Sequence, residues 1–171
     1  RLLLVVVAPA SLAEGRLRSF APTVGALEAR GFQVDLRANL SFYDGGVRES
    51  EAYDRILFAF DRHTHEPIGT LQLYETEALT VYTANSLPPE KVISISYGDP
   101  YVHDVMLPGV ETAINAYSDC PATQEAVVRA LVGEIGFPGR SPVDLEGLRR
   151  KLDPQPPSAH RAAPSRRRSR R

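Results

Sequence analysis

The chain has 171 residues, 43% of them hydrophobic and 24% charged, which is enough for one domain with a substantial core. Its formal charge of −1 divides unevenly, −7 over residues 1–150 and +6 over residues 151–171, so the body of the chain offers no electrostatic footprint for nucleic acid or an anionic membrane and only the tail could supply one. The single cysteine, Cys120, excludes an intrachain disulfide and a cysteine zinc cluster, and no apolar run is long enough to span a bilayer.

Leu2–Val7 is a continuous run of strand-forming residues. An alternating strand has one wet face, whereas a solid apolar run implies cover on both faces, the mark of a parallel sheet between helices. Arg1, the apolar run and Ala8-Pro9-Ala10 faintly mimic a secretory leader, but the run is too short and reads as a buried strand. With no initiator Met and a strand that starts at once, the chain reads as a fragment or as a domain whose N-terminal neighbour is missing. Ala21–Arg30 follows as a helix, with Pro22 in its first turn and Gly31 as its stop. Phe32, Val34 and Leu36 alternate as a second strand.

Residues 38–53 are polar and irregular, with a turn at Asp44-Gly45-Gly46. Ile56–Phe60 is a third strand and again solidly apolar. Thr70–Asn85 reads as a helix whose buried stripe would be Leu71, Tyr74, Ala78 and Tyr82, ended by Pro88-Pro89. Val92–Tyr97 and Ala113–Tyr117 are the fourth and fifth strands. Pro121–Glu134 is the clearest helix, with Ala126, Val127, Ala130 and Leu131 as its stripe. From about Asp153 the composition falls to Pro, Ser, Ala and Arg, which cannot form a core.

This order predicts an α/β fold: a three-layer sandwich with a mostly parallel, doubly wound sheet of about five to six strands and right-handed crossovers. Residues 1–152 would be the domain and 153–171 a disordered Pro/Arg-rich tail. The tail's RRRSRR run (166–171) has three readings: a solvated end, a contact to nucleic acid or another acidic surface, or out-of-frame read-through of GC-rich DNA.

Several clusters suggest chemistry without carrying it. Asp61, His63, His65 and Glu66 invite a metal, but zinc needs three or four convergent ligands, usually from separated segments, and a solvated loop accounts for them. Cys120 and His103 have no spacing that makes a nucleophile pair. Asp99 and Asp104 would pass for paired carboxylates only if they flanked a sugar. Gly45-Gly46 lacks the strand-to-helix context of a phosphate loop. No catalytic, cofactor or metal residue is assigned.

The most informative stretch is 92–145. Gly98 and Pro100 turn the chain out of the sheet where the fourth strand ends, and carboxyl ends of strands form the ligand crevice of open α/β sheets. Tyr97, Gly98, Asp99, Pro100 and Tyr101 are therefore the candidate crevice or interface residues. The stretch holds, in order, an apolar strand, Gly98-Asp99-Pro100-Tyr101, Pro108, Ala116-Tyr117, Gly133-Glu134 and Gly139-Arg140-Ser141-Pro142-Val143. With these spacings it resembles the C-terminal α/β sandwich domain of family 3 glycoside hydrolases, most closely the β-N-acetylhexosaminidase branch. Asp99 departs from the Asn that the family often has.

The resemblance implies a retaining hydrolase. A TIM-like barrel precedes the sandwich and carries the nucleophilic Asp, which forms a glycosyl-enzyme that water opens. No residue here matches a catalytic motif of that branch. The expected role is an auxiliary domain whose partner is the missing barrel and which meets glycan only through it, with no cofactor, no membrane contact and no nucleic acid. The alternative is a stand-alone, non-catalytic binding or interaction module of the same fold. In the auxiliary-domain reading, the Tyr97–Tyr101 turn and Pro108-Gly109 are expected on the face that docks the barrel. Sugar specificity, oligomeric state and cellular location are left open.

Overall fold

The computed structural model describes residues 1–61, 73 and 75–145. The chain divides into two compact units, Arg1–Ser141 and Pro142–Arg171. In the second, only 142–145 are described, with the Leu145 amide donating to the Val143 carbonyl at 3.2 Å. The domain boundary expected at 152, the tail from 153 and the cluster from His63 to Glu66 lie outside the described residues.

The first unit is an α/β three-layer sandwich. Its strands are β1 (Leu2–Val7), β2 (Val34–Ala38), β3 (Arg55–Phe60), β4 (Val92–Ser96) and β5 (Thr112–Asn115). They form one sheet in the order β2-β1-β3-β4-β5, and every neighbouring pair is parallel. Leu4 lies opposite Leu36 on one side and Leu57 on the other. All six residues of β1 are buried, as its solid apolar run requires of a central strand.

Alternation along β1 divides the core. Leu2, Leu4 and Val6 join Phe20, Leu27, Leu57, Ile95, Tyr97, Val127 and Val128 on one face. Leu3, Val5 and Val7 join Leu40, Phe58, Phe60, Ala84, Val102 and Leu107 on the other. The first face is covered by α1 (Ala13–Ser19), α2 (Ala21–Glu28) and α6 (Pro121–Leu131). The second is covered by α3 (Gly46–Ser50), α4 (Glu75–Ser86) and α5 (Val102–Met106). Each fully buried Leu, Ile or Phe contributes about 1.5–3 kcal/mol relative to exposure.

Three local expectations are corrected. Residues 38–53 are not wholly irregular, because α3 forms there and buries Gly46 and Ser50. Helix α4 does not bury Ala78 and Tyr82. It buries Glu77, Thr80, Thr83 and Ala84, while Tyr82 is 59% exposed. Helix α6 buries Gln124, Val127 and Val128, leaving Ala126 exposed. In both helices hydrogen bonds let polar side chains occupy the inner face. Thr80 Oγ1 donates to the Thr76 carbonyl and accepts from the Leu40 amide, at 2.8 and 2.9 Å.

Candidate functional site

The strand order reverses between β1 and β3. In a doubly wound sheet the carboxyl ends flanking such a reversal open the ligand crevice. Here they are the loop after Val7 and Asp61 after Phe60. A cavity of about 550 Å³ opens there, lined by Pro9, Ala10, Ser11, Leu12, Glu75 and Thr76. A second, of about 660 Å³, shares Ala10 and Thr76 and extends past Arg37, Ser41, Asp44 and Glu49.

The buried acid at this edge, Asp61, serves the fold. The Asp61 side chain is 1% exposed and forms an ion pair with Arg16, which also lies 3.9 Å from Asp119. Asn39 adopts a left-handed φ of 58°, which its short polar side chain tolerates. Its amide then mimics a strand neighbour: Nδ2 donates to the Ala8 carbonyl at 2.7 Å, and Oδ1 accepts from the Ala8 amide at 3.2 Å. Sequence reasoning missed both devices, since the paired residues lie 45 and 31 positions apart.

The Tyr97–Tyr101 turn follows β4, one strand beyond the reversal. Tyr97 is fully buried, packed edge-to-face on Phe20 with ring centroids 5.1 Å apart. Its hydroxyl has no well-formed hydrogen bond. Burial pushes its phenol up to about 12, against a weaker opposing pull from Thr23. Asp99 is buried too. Its Oδ1 accepts the Tyr101 amide at 2.8 Å, and its carbonyl accepts the Ser96 hydroxyl at 2.5 Å. Gly98, Pro100 and Tyr101 are the partly exposed members.

His103 is buried on α5, with Nδ1 2.9 Å from Ser94 Oγ and Nε2 3.1 Å from the Ile114 carbonyl. That carbonyl can only accept, so Nε2 carries a proton. Cys120 is exposed at the start of α6, its Sγ 3.2 Å from Thr123 Oγ1. Among the described residues no group of three His, Cys, Asp or Glu side chains is placed to hold a metal, and no helix is long and apolar enough to cross a membrane.

The other motif residues meet beyond β5. Ala116, Tyr117, Gly139, Arg140 and Ser141 line a groove of about 540 Å³ with Ala126 and Phe137. Tyr117 takes an unusual left-handed φ of 62°, and its hydroxyl donates to Ser141 Oγ at 2.7 Å. Glu134 is structural: it holds Arg30 at 2.6 Å and Arg129 at 3.3 Å. Arg30, which also holds Glu125 at 2.8 Å, keeps the Glu134 carboxyl below its ordinary range.

No family model matches the chain. It is 27% identical over 95 residues to a β-N-acetylglucosaminidase/β-glucosidase of Cellulomonas fimi, a match covering 56% of this chain and 17% of that protein. Among solved structures it superposes on a fungal multi-domain family 3 β-N-acetylglucosaminidase that has a GCN5-related glucosamine N-acetyltransferase region. The TM-score is 0.64 at 18% identity, over 84% of this chain and 15% of the other. Oxidised flavodoxin 2 from Bacillus cereus shares the fold, with a TM-score of 0.52 at 16% identity over 79% of this chain and 100% of the other. The chain thus has distant similarity to a multidomain family 3 β-glucosidase/hexosaminidase protein, and spans about a sixth of the Cellulomonas relative.

Proposed function

We propose that this chain is a non-catalytic accessory α/β module of the type that accompanies the catalytic barrel of family 3 β-N-acetylhexosaminidase-like glycoside hydrolases. It acts by binding rather than by turnover. The observation that carries this reading is the superposition of 84% of the chain on a 15% portion of a multi-domain β-N-acetylglucosaminidase. The engagement of Asp61 by Arg16 and of Asp99 by its own turn also supports it, because acids committed to the fold are not free to flank a glycosidic bond. The partner is a TIM-like barrel that supplies nucleophile and proton donor, and glycan hydrolysis belongs to that barrel. Gly98, Pro100 and Tyr101 are the accessible part of the proposed docking turn.

The test uses the pure full chain. It should release no aryl alcohol from aryl β-N-acetylglucosaminides or β-glucosides, and it should bind a purified family 3 barrel with a saturable isotherm. Turnover that disappears on changing Asp99 would overturn the reading, as would the absence of any barrel association.

A further inference from the structure

Three aromatic rings project from the surface beside the 660 Å³ cavity. Phe42 is 43% exposed, Tyr82 59% and Tyr43 80%. They form one cluster: Phe42 meets Tyr43 and Tyr82 edge-to-face, at centroid distances of 5.9 and 5.5 Å. Single exposed apolar residues need no explanation, but a contiguous group does.

The loop that carries Phe42 and Tyr43 is built to hold them there. The Gly46 and Gly45 amides donate back to the Ser41 and Phe42 carbonyls, at 3.0 and 3.3 Å. Gly45 has a φ of 81°. A Cβ on Gly46 would come within 2.7 Å of the Ser41 oxygen. The turn is closed on itself, so the rings are presented by a preformed backbone. That lowers the ordering cost of binding.

The adjoining cavity is polar where the rings are not. Ser41 and Asp44, on either side of the two loop aromatics, line it together with Arg37 and Glu49. Arg37 and Glu49 neutralise each other in an ion pair of 2.6 Å, and Asp44 leaves the lining negative by one charge. This disfavours phosphate and carboxylate ligands and offers oxygen acceptors to hydroxyl groups. The volume lies within the range of small-molecule sites. A ligand that matches has apolar C–H faces for the rings, many hydroxyl donors and no negative charge.

We propose that Phe42, Tyr43 and Tyr82, with the Asp44 side of the cavity, bind a neutral pyranoside sugar. This goes beyond the accessory-module reading and uses residues separate from the docking turn. The full chain is titrated with tri-N-acetylchitotriose and, separately, cellotriose, followed by amide chemical shifts and calorimetry. At least one sugar should bind saturably at millimolar concentration. The Tyr43→Ala/Tyr82→Ala double variant should weaken it about tenfold or more with an unchanged melting temperature, and Asp44→Asn should weaken it severalfold. No saturable binding of either sugar would overturn the proposal, as would full binding by the double variant. Self-association lost in the same variant without sugar binding would make the cluster a contact between copies and also refute it. Barrel association is a separate measurement and can fail while sugar binding holds, so the two readings fall independently.

Discussion

The Gln124 carboxamide on α6 accepts at Oε1 from both the hydroxyl and the amide of Thr23 on α2, at 2.8 and 3.2 Å, across 101 positions of sequence. Its Nε2 donates to the Ser19 and Asp119 carbonyls at 2.9 and 2.6 Å. One side chain, 1% exposed, thus joins α6 to the α1–α2 corner. Gln124→Leu keeps the volume but strands these buried groups. It should cost about 3 kcal/mol in urea unfolding. A loss below about 1 kcal/mol would show that the network contributes little.

Tyr97 combines a large buried ring with a hydroxyl that has no well-formed hydrogen bond. Tyr97→Phe should therefore be neutral or slightly stabilising, whereas Tyr97→Ser should cost about 3–5 kcal/mol through the cavity it leaves. The phenol also predicts a pH effect. Its folded value is raised to about 12 from an ordinary 10, so the folded state resists ionisation. This contribution is fully present below pH 10 and is lost as pH rises toward 12, by roughly 2–3 kcal/mol. Denaturant melts of Tyr97→Phe should decline less over that window than those of the parent. Identical alkaline limbs would contradict the assignment.

Asp99 works through one oxygen, the acceptor for the Tyr101 amide. An amide side chain supplies the same oxygen, so the departure from Asn leaves the turn intact. Asp99→Asn should stay within about 0.5 kcal/mol of the parent, and Asp99→Ala should lose about 1 kcal/mol. Thermal melts of the pair decide this, and equal losses would mean that the carboxylate's charge matters instead.

Cys120 is exposed, and its thiol is brought down to about 7, chiefly by the Thr123 side chain. The thiolate is the nucleophile. Iodoacetamide labelling should therefore rise with pH and reach half its plateau near pH 7. In Thr123→Val the midpoint should move up toward that of an ordinary thiol. Labelling profiles that coincide would remove Thr123 as the cause.

The layered α/β architecture was legible in the amino-acid sequence because its cause is local. Leu2–Val7 and Ile56–Phe60 are solidly apolar, and a strand of that kind is stable only with helices on both faces. The helix starts at Pro22 and Pro121 and the turn at Gly98-Asp99-Pro100 were equally readable, since φ limits act within a few residues. The tertiary structure alone decided the strand order, and with it the position of the reversal between β1 and β3, because register across a parallel sheet depends on residues far apart in the chain. It also decided the roll of α4 and α6. Thr80 and Gln124 point inward because the Leu40 amide and Thr23 await them, and no periodicity of the helix itself encodes those partners. The same holds for the tyrosines. Sequence marks Tyr43, Tyr82 and Tyr97 as amphipathic alike. Whether such a ring fills a core, as Tyr97 does, or faces water is settled by what the rest of the chain brings against it.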